Sequence, residues 1–431
     1  MEAVVVAANA APVTSGSGLG SSYWRMWWAG AIDSVGDGAW TAALPLLTIT
    51  ITTDPRLVAL VSAAAYLPWL LVSLPAGVLV DRRPRLALMW RTQLVQLVVV
   101  GTVTVVVLVD AASVPVLAAL VFVLGCCEVV FGNAAQSVLP ELVPRELLAR
   151  ANGNQYASQV TGEFFLGPPV GSLLFLASAA VPFGVDTVSF AVSAALLAGI
   201  RRHGQGGSRA PALPVRQAIG EGLRWLAGHR LLRALAVLLG VNNFCNQLGQ
   251  ATLVLLATER LGVSHAGYGL LLSAAAAGSV LGGLVNPRVV ARIGRRAALL
   301  TALTCSAAAY LAAGLAADPV TLAALLAVNG FAVTLWNIVT VTLRQETVPP
   351  ALLGRVTSVY RMLGWGLLPL GSLTGGLGAH GIDLRAPLPL AGGLRALALA
   401  VAVPVLWREL GSRQPRPETT GPAASGSQRP A

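Results

Sequence analysis

Apolar segments long enough to cross a lipid bilayer follow one another along nearly the whole chain, and this limits the fold more than any other feature. Twelve can be placed, at 24–50, 56–80, 86–109, 114–138, 153–177, 181–200, 231–257, 266–287, 297–316, 319–342, 356–379 and 387–407. About 20 apolar residues in a helix cross the hydrocarbon core, so each segment is long enough. Inside hydrocarbon an unpaired backbone N–H or C=O is costly, which leaves α-helices and closed barrels as spanning structures. These segments lack the polar/apolar alternation of barrel strands. The predicted fold is therefore an all-α integral membrane protein with twelve transmembrane helices. In 431 residues, of which only 11% are charged, twelve spans leave no room for a soluble catalytic domain.

The basic residues set the orientation and exclude several functions. All 29 are Arg and none is Lys. A Walker loop needs a Lys on the nucleotide phosphates and Schiff-base chemistry needs a Lys amine, so an ATP-driven pump of that kind and a retinal protein are excluded for this chain. The formal charge of +11 would suit a nucleic-acid partner, but 25 of the Arg residues fall at the amino end, the even-to-odd connections and the tail. Arg56, Arg260 and Arg385 lie in the opposite loops, and Arg395 lies within the last span. That distribution predicts a multi-pass protein of the cell membrane with both termini cytoplasmic, in contact with lipid rather than nucleic acid.

The longest connection splits the spans six and six. The expected organisation is a disordered cytoplasmic arm at 1–23, one six-helix half at 24–200, a linker at 201–230, a second half at 231–407 and a disordered tail at 408–431. Residues 201–214 of the linker are rich in Gly, Arg and Pro. From Val215 to Arg230 the pattern is amphipathic, with Arg216, Arg224 and Arg230 beside Leu223, Trp225 and Leu226. Such a stretch either lies along the inner membrane surface or is simply solvated. The amino end lacks the basic region and long apolar run of a signal peptide. Cys126, Cys127, Cys245 and Cys305 sit in apolar stretches without disulfide or metal-ligand spacing, so no metal or cofactor is expected.

The two halves are also repeats of one another. At a constant offset of 205, Glu141, Val143, Pro144, Leu147, Leu148 and Arg150 after the fourth span match Glu346, Val348, Pro349, Leu352, Leu353 and Arg355 after the tenth. The same offset lays Gly77-Val-Leu-Val-Asp81 on Gly282-Gly-Leu-Val-Asn286. Two separated matches at one offset predict parallel six-helix pseudo-repeats about an axis along the membrane normal.

These residues carry a family resemblance. Gly77-x-x-x-Asp81-Arg82-Arg83-Pro84-Arg85 resembles the cytoplasmic signature loop of the major facilitator superfamily, with Pro84 where the family has a second Gly. Gly282, Asn286 and Arg292 keep a degraded copy. Gly162, Gly167, Pro168 and Gly171 in the fifth span look like the Gly-Pro motif of drug/proton antiporters. Ser34-x-Gly36-Asp37 and the Leu-Pro-Glu-Leu-Val-Pro block look like the branch of the enterobactin exporter and related drug efflux proteins. The resemblance spans residues 24 to 407 and implies a transporter that alternates access.

Each motif has a physical reading. Gly77 would let a facing helix approach, and Asp81 would accept hydrogen bonds at a helix amino end. Arg82, Arg83 and Arg85 can pair with Glu141, Glu146 or Glu346, and the set reads as a cytoplasmic gate between halves, or as a basic loop that only fixes topology. Gly162, Gly167, Pro168 and Gly171 thin and bend the fifth helix, either to close the outer side or for tight packing.

Ionisable groups inside the membrane are the sharpest clue, because each is costly there unless it faces a cavity or partner. Asp33 and Asp37 lie one turn apart on the first helix, Glu128 is in the fourth span and Glu163 in the fifth. These are the proton-coupling candidates; Asp33 could instead be paired structurally, and Glu163 could bind a cationic substrate. Gln155 and Gln159 lead up to Glu163 in a polar stripe, Asn243, Asn246, Gln247 and Gln250 form another on the seventh span, and Asn329 and Trp336 a partial one on the tenth. With Arg361 they are substrate-cavity candidates, the alternative for the Asn and Gln residues being interhelical hydrogen bonding.

The function expected is secondary active transport, a proton-coupled antiporter acting as a functional monomer to export an amphipathic organic molecule such as a drug, secondary metabolite or siderophore. The alternatives are a proton-coupled uptake carrier of the same fold and a membrane sensor or receptor. An enzyme is not expected: His203, His229, His265 and His380 are scattered, and no His-Glu-x-x-His or Gly-x-Ser-x-Gly pattern occurs. The Arg distribution gives a direct test of orientation. Single-Cys reporters at Asp110, Asp318 or Asp383 should react with an impermeant thiol reagent added outside cells, and reporters at Arg209 or Ser412 should not. Outside labelling at Arg209 would reverse the orientation.

Overall fold

The computed structural model describes residues 19–144, 147–200 and 215–411. The arm up to residue 18, Arg145 and Glu146, the linker stretch 201–214 and the tail from 412 lie outside the described residues, as do the side chains of Asp81, Arg216 and Arg361. All regular structure among the described residues is helical. The first half comprises α1 (Ser21–Ile51), α2 (Pro55–Leu71), α3 (Ser73–Arg82), α4 (Arg85–Leu108), α5 (Val114–Leu142), α6 (Leu148–Gln159), α7 (Gly167–Ala177) and α8 (Val181–Ala198), with a π-helical segment, Val160–Leu166, joining α6 to α7. After the linker helix α9 (Val215–Gly228) come α10 (Arg230–Gln250), α11 (Leu253–Leu255), a second π segment (Leu256–Arg260), α12 (His265–Ala313), α13 (Pro319–Thr347), α14 (Pro350–Gly366), α15 (Leu368–Gly381) and α16 (Pro387–Gly411).

These elements make twelve membrane passes among the described residues. Seven helices are long and apolar enough to cross unaided, and one of them, α12, has 49 residues. Held straight it would run to about 74 Å, more than twice the hydrocarbon thickness. It turns instead at Gly294, whose φ of 78° lies in the left-handed region that glycine tolerates, and so supplies the eighth and ninth passes. The other four passes are α1, rich in polar residues, and three interrupted helices: α2 with α3, α10 with α11, and α14 with α15. The helix begins at Ser21 rather than at residue 24, and Tyr23, expected in a disordered arm, is fully buried with its hydroxyl donating to Ala151 O (3.1 Å).

Short loops at the Arg-poor end are fixed by helix caps. Asp54 accepts from Arg56 N (2.9 Å) ahead of Pro55, and Asp318 accepts from Val320 N (3.0 Å) and Thr321 N (2.9 Å) ahead of Pro319. A side-chain acceptor followed by Pro satisfies the orphan amides at a helix start. The Arg56 side chain and amide both bond Asp54 and hold its carboxyl at about 2, so it keeps its charge in any ordinary medium.

Within the first half, α1 meets the fifth pass at backbone distance. A Cβ on Gly167 would lie 2.4 Å from Gly38 Cα, one on Gly171 would lie 2.3 Å from Ala39 O, and one on Gly162 would lie 2.9 Å from Ser34 Cβ. The Gly-Pro motif therefore seats the fifth pass against the helix that carries Asp33 and Asp37. It sits beside the π segment, where the ladder is loosened just before Pro168, which has no N–H to give.

The two halves meet at the Arg-poor end. Ser273 Oγ donates to Phe165 O (2.9 Å), Gln247 Nε2 donates to Ser62 Oγ (2.8 Å), and His380 Nδ1 lies 3.7 Å from Asp54 Oδ1. A Cβ at Gly376 would be 2.4 Å from Ala59 Cβ, and one at Gly269 would be 2.5 Å from Pro168 O. At mid-depth Trp69 and Trp365 bring their rings to 4.4 Å. Beyond that the chain opens toward the Arg-rich end: Tyr156 is 68% exposed, and a Cβ at Gly77 or Gly153 would touch nothing within 4 Å. Widening Gly171 to Val should cost about 1–3 kcal/mol by overpacking, read as a lower melting temperature in detergent, whereas Gly153→Ala should leave melting unchanged or raise it.

Candidate functional site

The first half concentrates acid in its interior. Asp33 and Asp37 project from α1, Glu128 from α5, Glu163 from the π segment and Asp186 from α8. Asp37 senses the charges of Asp33, Asp186, Glu128 and Glu163, and Glu128 those of Glu163 and Asp33, so the five form one electrostatic group. Among the described residues none of the five makes an ion pair. Glu128 is exposed and Glu163 half-buried, and Gln159 Nε2 donates to Glu163 Oε2 (2.9 Å). Gln155 is half-buried one turn before Gln159 on the same helix. Tyr66 of α2 is half-buried and close enough to Glu128 and Glu163 to feel their charges.

Asp186 was missed by the sequence reading, although an acid in the apolar stretch 181–200 was signal enough. It is 1% exposed, and Ser189 Oγ donates to its Oδ1 (3.0 Å). Its carboxyl fits because Gly36 has no side chain: a Cβ there would lie 2.2 Å from Asp186 Oδ1. Asp33 is 6% exposed and accepts from Gln93 Nε2 of α4 (3.0 Å).

Among the described residues the second half holds one buried cation. Arg395 of α16, noted in the sequence but given no role, is 3% exposed. It donates to Ser306 Oγ (2.6 Å), Asn329 Oδ1 (3.0 Å) and Asn242 O (3.2 Å), and its guanidinium lies 4.0 Å from the Tyr310 ring centre. Tyr310 in turn donates to Asn246 Oδ1 (2.8 Å).

Several expected positions are thereby corrected. Asn329 does not face a cavity but accepts from Arg395 and Ser306, and Trp336 is buried in an apolar cluster with Leu335, Val339 and Tyr360. Both were expected on a lumen stripe because helical spacing cannot tell which of two buried faces borders water. Asn243 bonds Gly364 O (3.0 Å), Gln247 joins the halves through Ser62, and Gln250 is half-buried. The Arg361 side chain is outside the described residues.

The signature loop pairs within halves rather than across them in this conformation. Arg85 bonds Glu141 (2.5 Å) and Ser137 O (2.9 Å), joining α4 to α5, and Arg295 bonds Glu346 (2.5 and 2.8 Å), joining α12 to α13. Asn286 Nδ2 donates to Phe331 O (3.2 Å), and Gly282 is packed against the same α13. Arg82, Arg83 and Arg292 are exposed, and no helix closes on Gly77. The linker helix α9 packs on the second half through buried Leu226 and an ion pair of Glu221 with Arg355.

Twelve passes in two pseudo-repeated halves, closed at one end and enclosing ionisable groups, define a major facilitator transporter, a multi-pass membrane protein that moves small molecules. The chain belongs to the transmembrane secretion effector family, whose profile matches residues 17–422. It is similar to the multidrug efflux pump Tap of Mycolicibacterium fortuitum, 29% identical over 388 residues that cover 86% of this chain and 90% of that one. The pump of the same description in Mycobacterium tuberculosis is 28% identical over 391 residues, covering 86% and 88%. Among solved structures, a bacterial homologue of the iron transporter ferroportin in an inward-facing state superposes with a TM-score of 0.73 at 16% identity, covering 91% of this chain and 99% of that one. The nucleoside transporter NupG gives 0.70 at 12% identity, covering 90% and 100%. These share the fold.

Replacing Arg395 by Met should remove its hydrogen bonds to Asn329, Ser306 and Asn242 O, leaving only the Ser306–Asn329 bond, and cost about 1–3 kcal/mol. Thermal unfolding in detergent should show the loss, and Asn329→Asp, which gives the cation a partner, should be far milder.

Proposed function

We propose that this protein is a proton-coupled exporter of amphipathic organic cations across the cell membrane. The observation that carries the reading is the acidic interior of the first half, in which Glu128 is exposed and Glu163 half-buried and neither has a described ion-pair partner. Carboxylates without a cationic partner inside a membrane protein suit a cationic, partly apolar substrate, and similarity to multidrug efflux pumps supports the outward direction.

In this reading the Arg-rich end is cytoplasmic, so the closed Arg-poor end makes the conformation inward-facing. Substrate enters from the cytoplasm or inner leaflet and displaces protons from the carboxylates. The halves then rock about the mid-depth Trp69 and Trp365, the contacts of Phe165 O and Pro168 O with Ser273 and Gly269 of the other half part, and the Asp81 to Arg85 loop closes the cytoplasmic side. Asp37, half-buried between the lumen and Asp33, passes protons in and out. The protein works as a monomer, with each half a rigid body and the 201–230 segment between them.

The reading is tested in inverted membrane vesicles with ethidium as the probe. A gradient acidic inside should drive accumulation, and a protonophore should abolish it. Asp37→Asn should remove gradient-driven accumulation while ethidium still binds, and Glu163→Gln should weaken ethidium binding. Protonophore-resistant accumulation, or binding of ethidium without any flux, would overturn the proposal, the latter favouring a sensor.

A further inference from the structure

Two of the five acids differ from the others in their surroundings. Asp33 and Asp186 are withdrawn from the lumen into a pocket between α1, α4 and α8, where Gln93 (0% exposed), Gln96 (3%), Ser189 and Ser193 are also buried. Gln93 and Ser189 each give one hydrogen bond, to Asp33 Oδ2 and Asp186 Oδ1. The remaining acceptors, Asp33 Oδ1, Asp186 Oδ2, Gln93 Oε1 and Gln96 Oε1, find no donor among the described residues, and Ser193 Oγ finds no partner. Buried polar atoms are paired in nearly all native structures, so a cluster of orphaned acceptors marks a donor that is supplied from elsewhere.

Among the described residues no positive charge pairs with either acid of the pocket. The groups facing it from the packed elements are acids: Asp37 on α1, Glu128 on α5 and Glu163 on the π segment. Arg25 is occupied at the Arg-rich end by Gly199 O, and Arg91 lies over Trp90. Two like charges sharing a buried pocket repel one another, and both stay ionised only at a high cost without a cation.

We infer that Asp33 and Asp186 form a shared proton site inside the first half, one step removed from the lumen, and that Asp37 is its exchange route rather than the resting place of the proton. A proton on each carboxyl supplies two O–H donors, which is enough to engage the four orphaned oxygens in two bonds. Discharge breaks one carboxylic O–H and passes the proton by way of the Asp37 carboxylate to lumen water, leaving a carboxylate that is reloaded when the other side opens. Gly36 belongs to the device, since any side chain there would occupy the place of the Asp186 carboxyl. The inference rests on the proton-coupled reading above and assigns its site.

Infrared spectroscopy of the purified full-length protein tests the site without a substrate. The wild type near neutral pH should show the C=O band of protonated carboxylic acid, reduced in Asp33→Asn and in Asp186→Asn and retained in Asp37→Asn. A wild type without the band, or a band unchanged in both pocket variants, overturns the site. Ethidium then links the site to transport: the pocket variants should bind and exchange ethidium yet release no proton on binding, while Asp186→Glu keeps release. Wild-type proton release persisting in Asp186→Asn refutes the inference and leaves proton coupling intact. A wild type that binds ethidium and releases no proton refutes the coupling reading itself, even if the band is present. If an amide variant fails to fold, the Asp186→Glu release and the wild-type band still decide.

Discussion

Taking a carboxylate out of water is costly, and in the first half of this protein five interior carboxylates, two of them buried, have no described ion-pair partner. The rest of the half is arranged around that constraint. Polar side chains on three helices turn inward to meet it, Gln93 toward Asp33, Ser189 toward Asp186 and Gln159 toward Glu163. The lumen opens where Glu128 and Glu163 stand, and closes over Asp33 and Asp186.

Such an interior needs a scaffold that does not yield, and glycine supplies it. The approach of α1 to the fifth pass at Gly38, Gly167 and Gly171 brings backbone to backbone and locks the acid-bearing helix laterally. The π segment beside it is the one place where the fifth pass is loosened, and it carries Glu163. Tight packing and deformability therefore belong to the same short stretch, and the Gly-Pro motif serves the first as visibly as the second. The closure at the Arg-poor end uses the outer part of that helix, where Pro168 O and Phe165 O meet Gly269 and Ser273 of the other half.

The halves are repeats in backbone but not in chemistry. Their Arg-rich ends keep matching ion pairs, Arg85 with Glu141 and Arg295 with Glu346. Their interiors have diverged among the described residues, one holding five acids and the other a buried Arg395 held by neutral acceptors and an aromatic face. Neutral partners hold the cation without discharging it.

The amino-acid sequence by itself determined the spans, their number, the six-and-six repeat and the family, because each follows from local properties: apolar length, backbone self-satisfaction in lipid, and motifs at a fixed offset. It also supplied four of the five acids by their cost in hydrocarbon. Tertiary structure alone decided which of these share a pocket. Asp186 is separated from Asp33 by most of the first half in sequence, and its carboxyl fits against α1 only because Gly36 has no side chain. It likewise decided that Asn329 and Trp336 point into the second half rather than the lumen, and that Arg85 and Arg295 bind acids of their own halves. Helical spacing gives the face of a residue, but in a bundle several faces are buried at once, and which of them borders water depends on how the helices cross.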